Sequence, residues 1–123
     1  VYGDGQQTRC FANVSDVVRA VAALAECDQA IGEVFNVGSQ EEVAIVDLAQ
    51  RVKARAGSDS PIVFVPYDQA YEQGFEDMLR RVPDTSKIRR LIGWEPQKTL
   101  DETLDEVIAY FRRNAHRAAE IPS

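Results

Sequence analysis

The 123 residues are 45% hydrophobic and 28% charged, the balance of one soluble globular domain and not of a disordered tail. Lys+Arg number 14 against Asp+Glu 20, for a net charge of −6, so no positive field covers the surface to draw in nucleic acid or an anionic membrane. A negative ligand has to be held by local arginines, because the overall charge repels it.

No apolar run approaches the roughly 18 to 20 residues that span a bilayer, and no basic stretch followed by an apolar one opens the chain as a leader would. A cytoplasmic protein is expected. Cys10 and Cys27 form no Cys-x-x-Cys pair and have no histidine cluster beside them, so they predict two reduced, buried thiols and neither a disulfide framework nor a zinc site. The chain opens Val1-Tyr2-Gly3 and its only methionine is Met78. It reads as a piece of something longer.

In chain order, Gly3-Asp4-Gly5 is turn chemistry, and Thr8 to Val14 alternates enough for a short strand. Ser15 is the expected cap of a helix from Asp16 to Cys27, whose Val17, Val18, Val21, Ala22, Leu24 and Ala25 recur at helical spacing and predict one buried stripe. Val34-Phe35-Asn36-Val37-Gly38 reads as a buried strand closed by a tight turn. Ile45, Leu48, Ala49 and Val52 restore helical spacing up to Gly57. Ala44, ahead of that helix, has no capping oxygen, which predicts a start weaker by about 1 kcal/mol than one with Ser or Thr.

Ser60-Pro61 leads into Ile62-Val63-Phe64-Val65, a third candidate strand that Pro66 stops. Tyr67 to Pro83 has no period and mixes aromatic, acidic and arginine residues, the character of a functional loop. Asp84 is the expected cap of a short helix to Leu91-Ile92, which Gly93 ends ahead of a Trp94-Glu95-Pro96 corner. Thr99-Leu100-Asp101-Glu102 is a capping box opening the last helix through Leu104, Val107, Ile108 and Phe111, and residues 114–123 are expected to fray. No repeat or linker divides the chain. The fold class is therefore α+β, a single unit over 1–123 with two or three short strands and about four helices, and no complete doubly wound sheet.

The common catalytic constellations are absent from these residues. Neither a phosphate-cradling glycine loop with Lys-Ser/Thr nor a dinucleotide glycine fingerprint occurs, and no tyrosine has a lysine four positions on. His116, the single histidine, lies in a polar segment and is expected to be solvated. The acidic clusters Glu41-Glu42, Glu76-Asp77 and Asp101 to Glu106 read as solvated or helix-capping charge, so no metal is expected. Two arginine contexts stand out. Arg9 lies inside a predicted strand, and Arg80-Arg81 ends the irregular loop; guanidinium forks suit phosphate or carboxylate oxygens, and two that converge can hold a diphosphate.

Gly3-Asp4-Gly5-Gln6-Gln7-Thr8-Arg9-Cys10-Phe11, continued through Val14-Ser15-Asp16-Val17-Val18, resembles a segment in the C-terminal half of NAD-dependent nucleotide-sugar epimerases, dehydratases and decarboxylases of the extended short-chain dehydrogenase/reductase family. Phe35-Asn36-Val37-Gly38, Pro83-Asp84-Thr85-Ser86-Lys87, Leu91-Ile92-Gly93-Trp94-Glu95-Pro96 and Leu100-Asp101-Glu102-Thr103-Leu104 follow in the family's order and approximate spacing. The resemblance implies that Arg9 contacts the phosphates of a nucleotide-sugar, that the loop from Tyr71 to Arg81 closes over nucleotide and sugar, and that Arg81, Phe75 and Asp77 are substrate contacts. Arg81 stands where the decarboxylase branch carries a ligand-contacting arginine, whereas Asp16 is read as a helix-start residue. Ala12-Asn13 and Ala44 depart from the family's usual residues and blunt any subfamily assignment.

In that family an N-terminal domain carries the NAD turn and the Tyr-x-x-x-Lys that serve hydride transfer at the sugar. The resemblance thus implies a UDP-sugar recognition portion lacking the Rossmann sheet, with no catalytic residue of its own. NAD is expected in the full-length parent and no cofactor in this piece; its expected partners are the nucleotide-sugar and the NAD-binding domain, with a second copy as a further candidate. The alternative is a non-catalytic module that binds nucleotide-sugars or proteins.

Overall fold

The computed structural model describes residues 1–67 and 78–115. Helix α1 (Val14–Ala25) starts at Asn13, whose side chain accepts from the Ser15 amide at 2.9 Å. The cap is therefore Asn13 and not the expected Ser15. Tertiary contacts make the choice: Asn13 is buried and its Nδ2 donates to Thr103 Oγ1 at 3.2 Å and Glu106 Oε2 at 2.8 Å, which leaves its oxygen for the helix.

The core is small. Ala20, Ile88 and Trp94 are buried, and Leu24, Phe35, Val37 and Ile92 pack against them. The predicted stripe of α1 is only partly used, because Val18 and Val21 are each 59% exposed. Helix α3 (Ser86–Ile92) supplies Ile88 and ends at Gly93, whose φ of 66° is the left-handed conformation that suits glycine. Its N-cap is Thr85, without a side-chain bond, and Asp84 Oδ1 accepts from the Ser86 amide at 3.0 Å from one residue further out.

Strand β1 (Thr8–Cys10) pairs antiparallel with β2 (Glu42–Ala44) in the register Thr8 with Ala44, Arg9 with Val43 and Cys10 with Glu42. Among the described residues this is the only sheet, so the architecture is α+β as expected, with the strands placed differently. Val34 to Gly38 forms no ladder: Phe35 and Val37 pack on the core, while Val34 is 82% exposed. Its apolar character reflects packing and not sheet pairing. Ile62 to Val65 forms no strand but runs beside residues 1–3, with a parallel bridge between Val65 and Tyr2 and the Val65 amide donating to the Val1 carbonyl at 2.7 Å. Glu42–Ala44, which is half acidic context and half apolar, carries the second strand instead.

Helix α2 (Ile45–Ala56) follows β2 directly, and Ala44 gives it no side-chain cap. The Ile45 and Val46 amides donate to the Gln7 and Gly5 carbonyls at 3.0 and 2.9 Å, so the chain ahead of β1 satisfies this helix start. Gly5 makes the approach possible: its φ is 72°, and a Cβ there would stand 2.8 Å from Val46 Cβ. Helix α4 (Leu100–Arg113) opens with Thr99 Oγ1 accepting from the Glu102 amide at 3.1 Å, the capping-box contact predicted. Arg55 of α2 donates twice to Asp105 of α4, at 2.7 and 2.6 Å. Both cysteines are free, and each is half-buried, less enclosed than predicted.

Candidate functional site

Strand β1 has a second neighbour. Residues 78–83 run along it, with the Thr8 amide donating to the Leu79 carbonyl at 2.8 Å and a parallel bridge between Thr8 and Arg80. On this rung Glu42 Oε1 accepts from Thr8 Oγ1 at 2.9 Å and Arg80 Nε at 2.8 Å, and Glu42 Oε2 accepts from Arg80 Nη2 at 3.0 Å. The Arg80 hydrogen bonds, then the Thr8 hydroxyl, hold the Glu42 carboxyl below its usual range. Arg80, the first of the two adjacent arginines, is thus engaged in a bidentate ion pair.

One residue further along each segment, Arg9 and Arg81 line the same cavity, of about 410 Å³. Its other walls are Cys10, Ala12, Asn36, Val37, Gly38, Ser39, Val82 and Pro83. Arg9 Nη1 donates to the Thr8 carbonyl at 2.7 Å, and Arg81 Nη2 reaches Met78 Sδ, a weak acceptor, at 3.5 Å. No carboxylate is among the described residues that line this space.

The remaining walls are set by close packing and turns. A Cβ on Gly38 would lie 3.0 Å from Pro83 Cγ, so glycine lets the segment after Val37 approach the proline that follows Val82. Ser39 is buried and its Oγ accepts from the Glu41 amide at 3.1 Å, while Asn36 Nδ2 donates to the Asp84 carbonyl at 3.4 Å. Burial first, then the charges of Glu42 and Glu41, push the Cys10 thiol up in spite of Arg80. Cys10 is a protonated wall residue and not a nucleophile.

The structure brings together Arg9 and Arg81, predicted from distant parts of the chain. Phe75 and Asp77 lie outside the described residues, as does His116. Asn36 and Ser39 were not singled out from the sequence; the glycine between them, closing an apolar run, was the available signal. Asp16 is elsewhere, buried at the start of α1. Its carboxylate accepts from the Gln97 and Lys98 amides at 3.0 and 3.1 Å and from Arg19 at 3.2 Å, and its carbonyl from Trp94 Nε1 at 3.0 Å. Among the described residues no three His, Cys, Asp or Glu side chains converge as a metal site, and no helix is long and apolar enough to cross a membrane.

Residues 1–107 match the family model described as GDP-mannose 4,6 dehydratase. The chain is 40% identical over 112 residues to UDP-N-acetyl-alpha-D-glucosaminuronate decarboxylase of Bacillus cytotoxicus, a match covering 91% of this chain and 35% of that protein. It is also 40% identical over 119 residues to UDP-glucuronic acid decarboxylase 1 of Danio rerio, covering 97% of this chain and 27% of the relative. The chain therefore spans about a quarter to a third of the length of these relatives.

Among solved structures, the epimerase Mth375 of Methanothermobacter thermautotrophicus superposes with a TM-score of 0.85 at 28% identity, over 98% of this chain and 34% of that one. The UDP-glucose 4-epimerase of Thermotoga maritima, solved with UDP-glucose, gives a TM-score of 0.78 at 31% identity over 94% of this chain and 35% of that one. The helices and two-stranded sheet match a partial fold, that of the C-terminal portion of such enzymes. Carried by the family match over residues 1–107 and by these relatives, the conclusion is that the chain belongs to the GDP-mannose 4,6 dehydratase family, among the nucleotide-sugar epimerases and dehydratases of the extended short-chain dehydrogenase/reductase group.

Proposed function

We propose that this chain is the single-domain nucleotide-sugar recognition portion of an NAD-dependent sugar-nucleotide enzyme, and that Arg9 and Arg81 hold the diphosphate of a UDP-sugar between them. The observation that carries this reading is the cavity lined by both arginines and by no carboxylate among the described residues. Two guanidinium groups that line one concavity can both reach a diphosphate, which offers oxygens to both forks. Arg80 is excluded from that role by its own bidentate partner, Glu42.

The relatives favour a UDP-sugar, since those named above are UDP-sugar decarboxylases and an epimerase solved with UDP-glucose. They also favour an enzyme over a non-catalytic module. The UDP-glucuronic acid 4-epimerase of Bacillus cereus, 26% identical with a TM-score of 0.78, was solved with both UDP-glucuronic acid and NAD. By that likeness NAD serves the complete polypeptide. The residues of this chain do not supply a glycine-rich turn or a Tyr-x-x-x-Lys to hold and use it. What this chain contributes is binding and orientation: with the diphosphate fixed, the sugar's position relative to a redox centre is fixed as well. Phe75 and Asp77 are proposed as further contacts from the preceding segment.

Calorimetric titration of the complete polypeptide with UDP tests the assignment. Arg9→Ala and Arg81→Ala are each expected to weaken binding by about 1.5 to 3 kcal/mol, or about 10- to 150-fold, the loss of a charge-assisted hydrogen bond. Wild-type affinity in both variants overturns it. A panel of UDP- and dTDP-sugars with NAD present then separates the base and sugar preferences.

A further inference from the structure

We infer that the Glu42–Arg80 ion pair is a register pin, and that it decides which of two successive arginines faces the anion cavity. This deepens the proposed function and rests on it. Side chains alternate between the two faces of an extended segment, so a slip of one residue between residues 78–83 and β1 exchanges Arg80 and Arg81. Among the described residues the backbone pairing at the two arginines is short, the Thr8 amide on the Leu79 carbonyl and the bridge of Thr8 to Arg80, with Gln40 Nε2 donating to the Pro83 carbonyl further on. Short pairings of this kind are prone to slippage, and here both candidate residues are arginine, so side-chain identity offers no preference of its own.

Glu42 breaks the tie. It belongs to β2 at the rung facing Cys10, and its carboxylate lies against the Thr8 hydroxyl and takes both Nε and Nη2 of Arg80. A bidentate fork is directional and binds one guanidinium. With Arg80 captured on the Glu42 side, Arg81 is the arginine delivered to the cavity with Arg9. Glu42 and Arg80 are positioning residues: neither lines the cavity.

The test is UDP titration of the complete polypeptide carrying Glu42→Lys, Glu42→Gln, Arg80→Glu and the exchanged pair Glu42→Lys/Arg80→Glu. Glu42→Lys and Arg80→Glu are each expected to weaken UDP binding about 5- to 10-fold, and the exchanged pair to return it to within about twofold of wild type, since opposite charges again face each other across the rung. That rescue reports the ion pair itself, whereas a merely stabilising pair would leave the cost of Arg81→Ala unchanged. Arg81→Ala added to Glu42→Lys is expected to cost much less than Arg81→Ala alone, because Arg81 has already left its place. If Glu42→Lys does not fold, the milder Glu42→Gln and the exchanged pair carry the comparison. Unchanged or tighter binding in Glu42→Lys and Glu42→Gln, or a loss that the exchanged pair fails to recover, overturns the pin while Arg81→Ala still weakens binding. Should Arg9→Ala and Arg81→Ala themselves bind UDP normally, the proposed function fails first.

Discussion

Two regions of this chain concentrate charge in partly enclosed surroundings, and they handle it in opposite ways. Asp16 is 2% exposed, and the protein's own donors meet its carboxylate: two amides from the Gln97-Lys98 segment and the Arg19 guanidinium. The arginine cavity has cations in its wall and no carboxylate among its described residues. A buried charge satisfied from within is part of the fold, because its desolvation is offset by bonds that exist in the folded state. Guanidinium forks that open on a concave surface are placed to meet a ligand's oxygens. Where the charged groups point, into the protein's own donors or into an open cavity, distinguishes the scaffold from the binding surface here.

The strongest way to test that contrast is to remove Asp16. Asp16→Ala leaves the Gln97 and Lys98 amides without their acceptor, while Arg19 keeps the Glu95 carbonyl and the Trp94 ring, and is expected to cost about 1.5 to 3 kcal/mol in denaturant unfolding, the scale for losing hydrogen bonds to a charged group. Asp16→Asn keeps the shape and part of the acceptor capacity, and is expected to lose less. The pH dependence follows from the direction of the shift. Burial pushes the Asp16 carboxyl up, but the bonds from Gln97, Lys98 and Arg19 outweigh it and the folded value lies below normal. Its contribution is therefore complete above the unfolded aspartate value, about 3.9, and is lost as pH falls through the lower folded value. The stability gap between wild type and Asp16→Asn is expected to narrow as pH drops below about 4; a gap that stays constant to pH 2 contradicts it.

Asp16 also marks how much could be read from the sequence. Its place at a helix start was legible, as were the glycine stops at Gly57 and Gly93 and the Thr99 cap, because each depends on residues within a turn of one another. Its bonds to Gln97 and Lys98 span more than 80 positions and leave no local pattern. The same holds for Asn13, which displaced Ser15 as cap because Thr103 and Glu106 hold its amide. Strands were read least well: Val34 to Val37 is apolar because it packs on Ile88 and Trp94, whereas Glu42–Ala44 pairs with β1 despite its acidic start. For the cavity, the arginines were visible as residue types. Their meeting depends on a tertiary pairing between residues 8 and 80 that no spacing rule supplies.

Helix starts extend the contrast between local and distant satisfaction at smaller energies. Thr99→Ala removes the only side-chain cap bond given to α4 by its N-cap residue and is expected to cost about 1 kcal/mol. Ala44 lacks such a bond, and a serine there would ordinarily be worth about 1 kcal/mol. In this chain the Gln7 and Gly5 carbonyls already accept from the first two amides of α2. Ala44→Ser is therefore expected to gain less than about 0.5 kcal/mol, since a donor satisfied by the neighbouring chain has little left to offer a capping hydroxyl. A full gain in chemical unfolding would mean that those two backbone bonds contribute little.

The smallest expected stability change is the most telling for the comparison. Arg81 is exposed, and its guanidinium reaches the Met78 thioether. Arg81→Ala is expected to leave the unfolding free energy within about 0.5 kcal/mol of wild type, the ordinary range for a surface substitution, while UDP affinity falls. A stability loss as large as that of Asp16→Asn, without a change in UDP affinity, would move Arg81 from the binding surface to the scaffold, and the difference between the two regions would disappear with it.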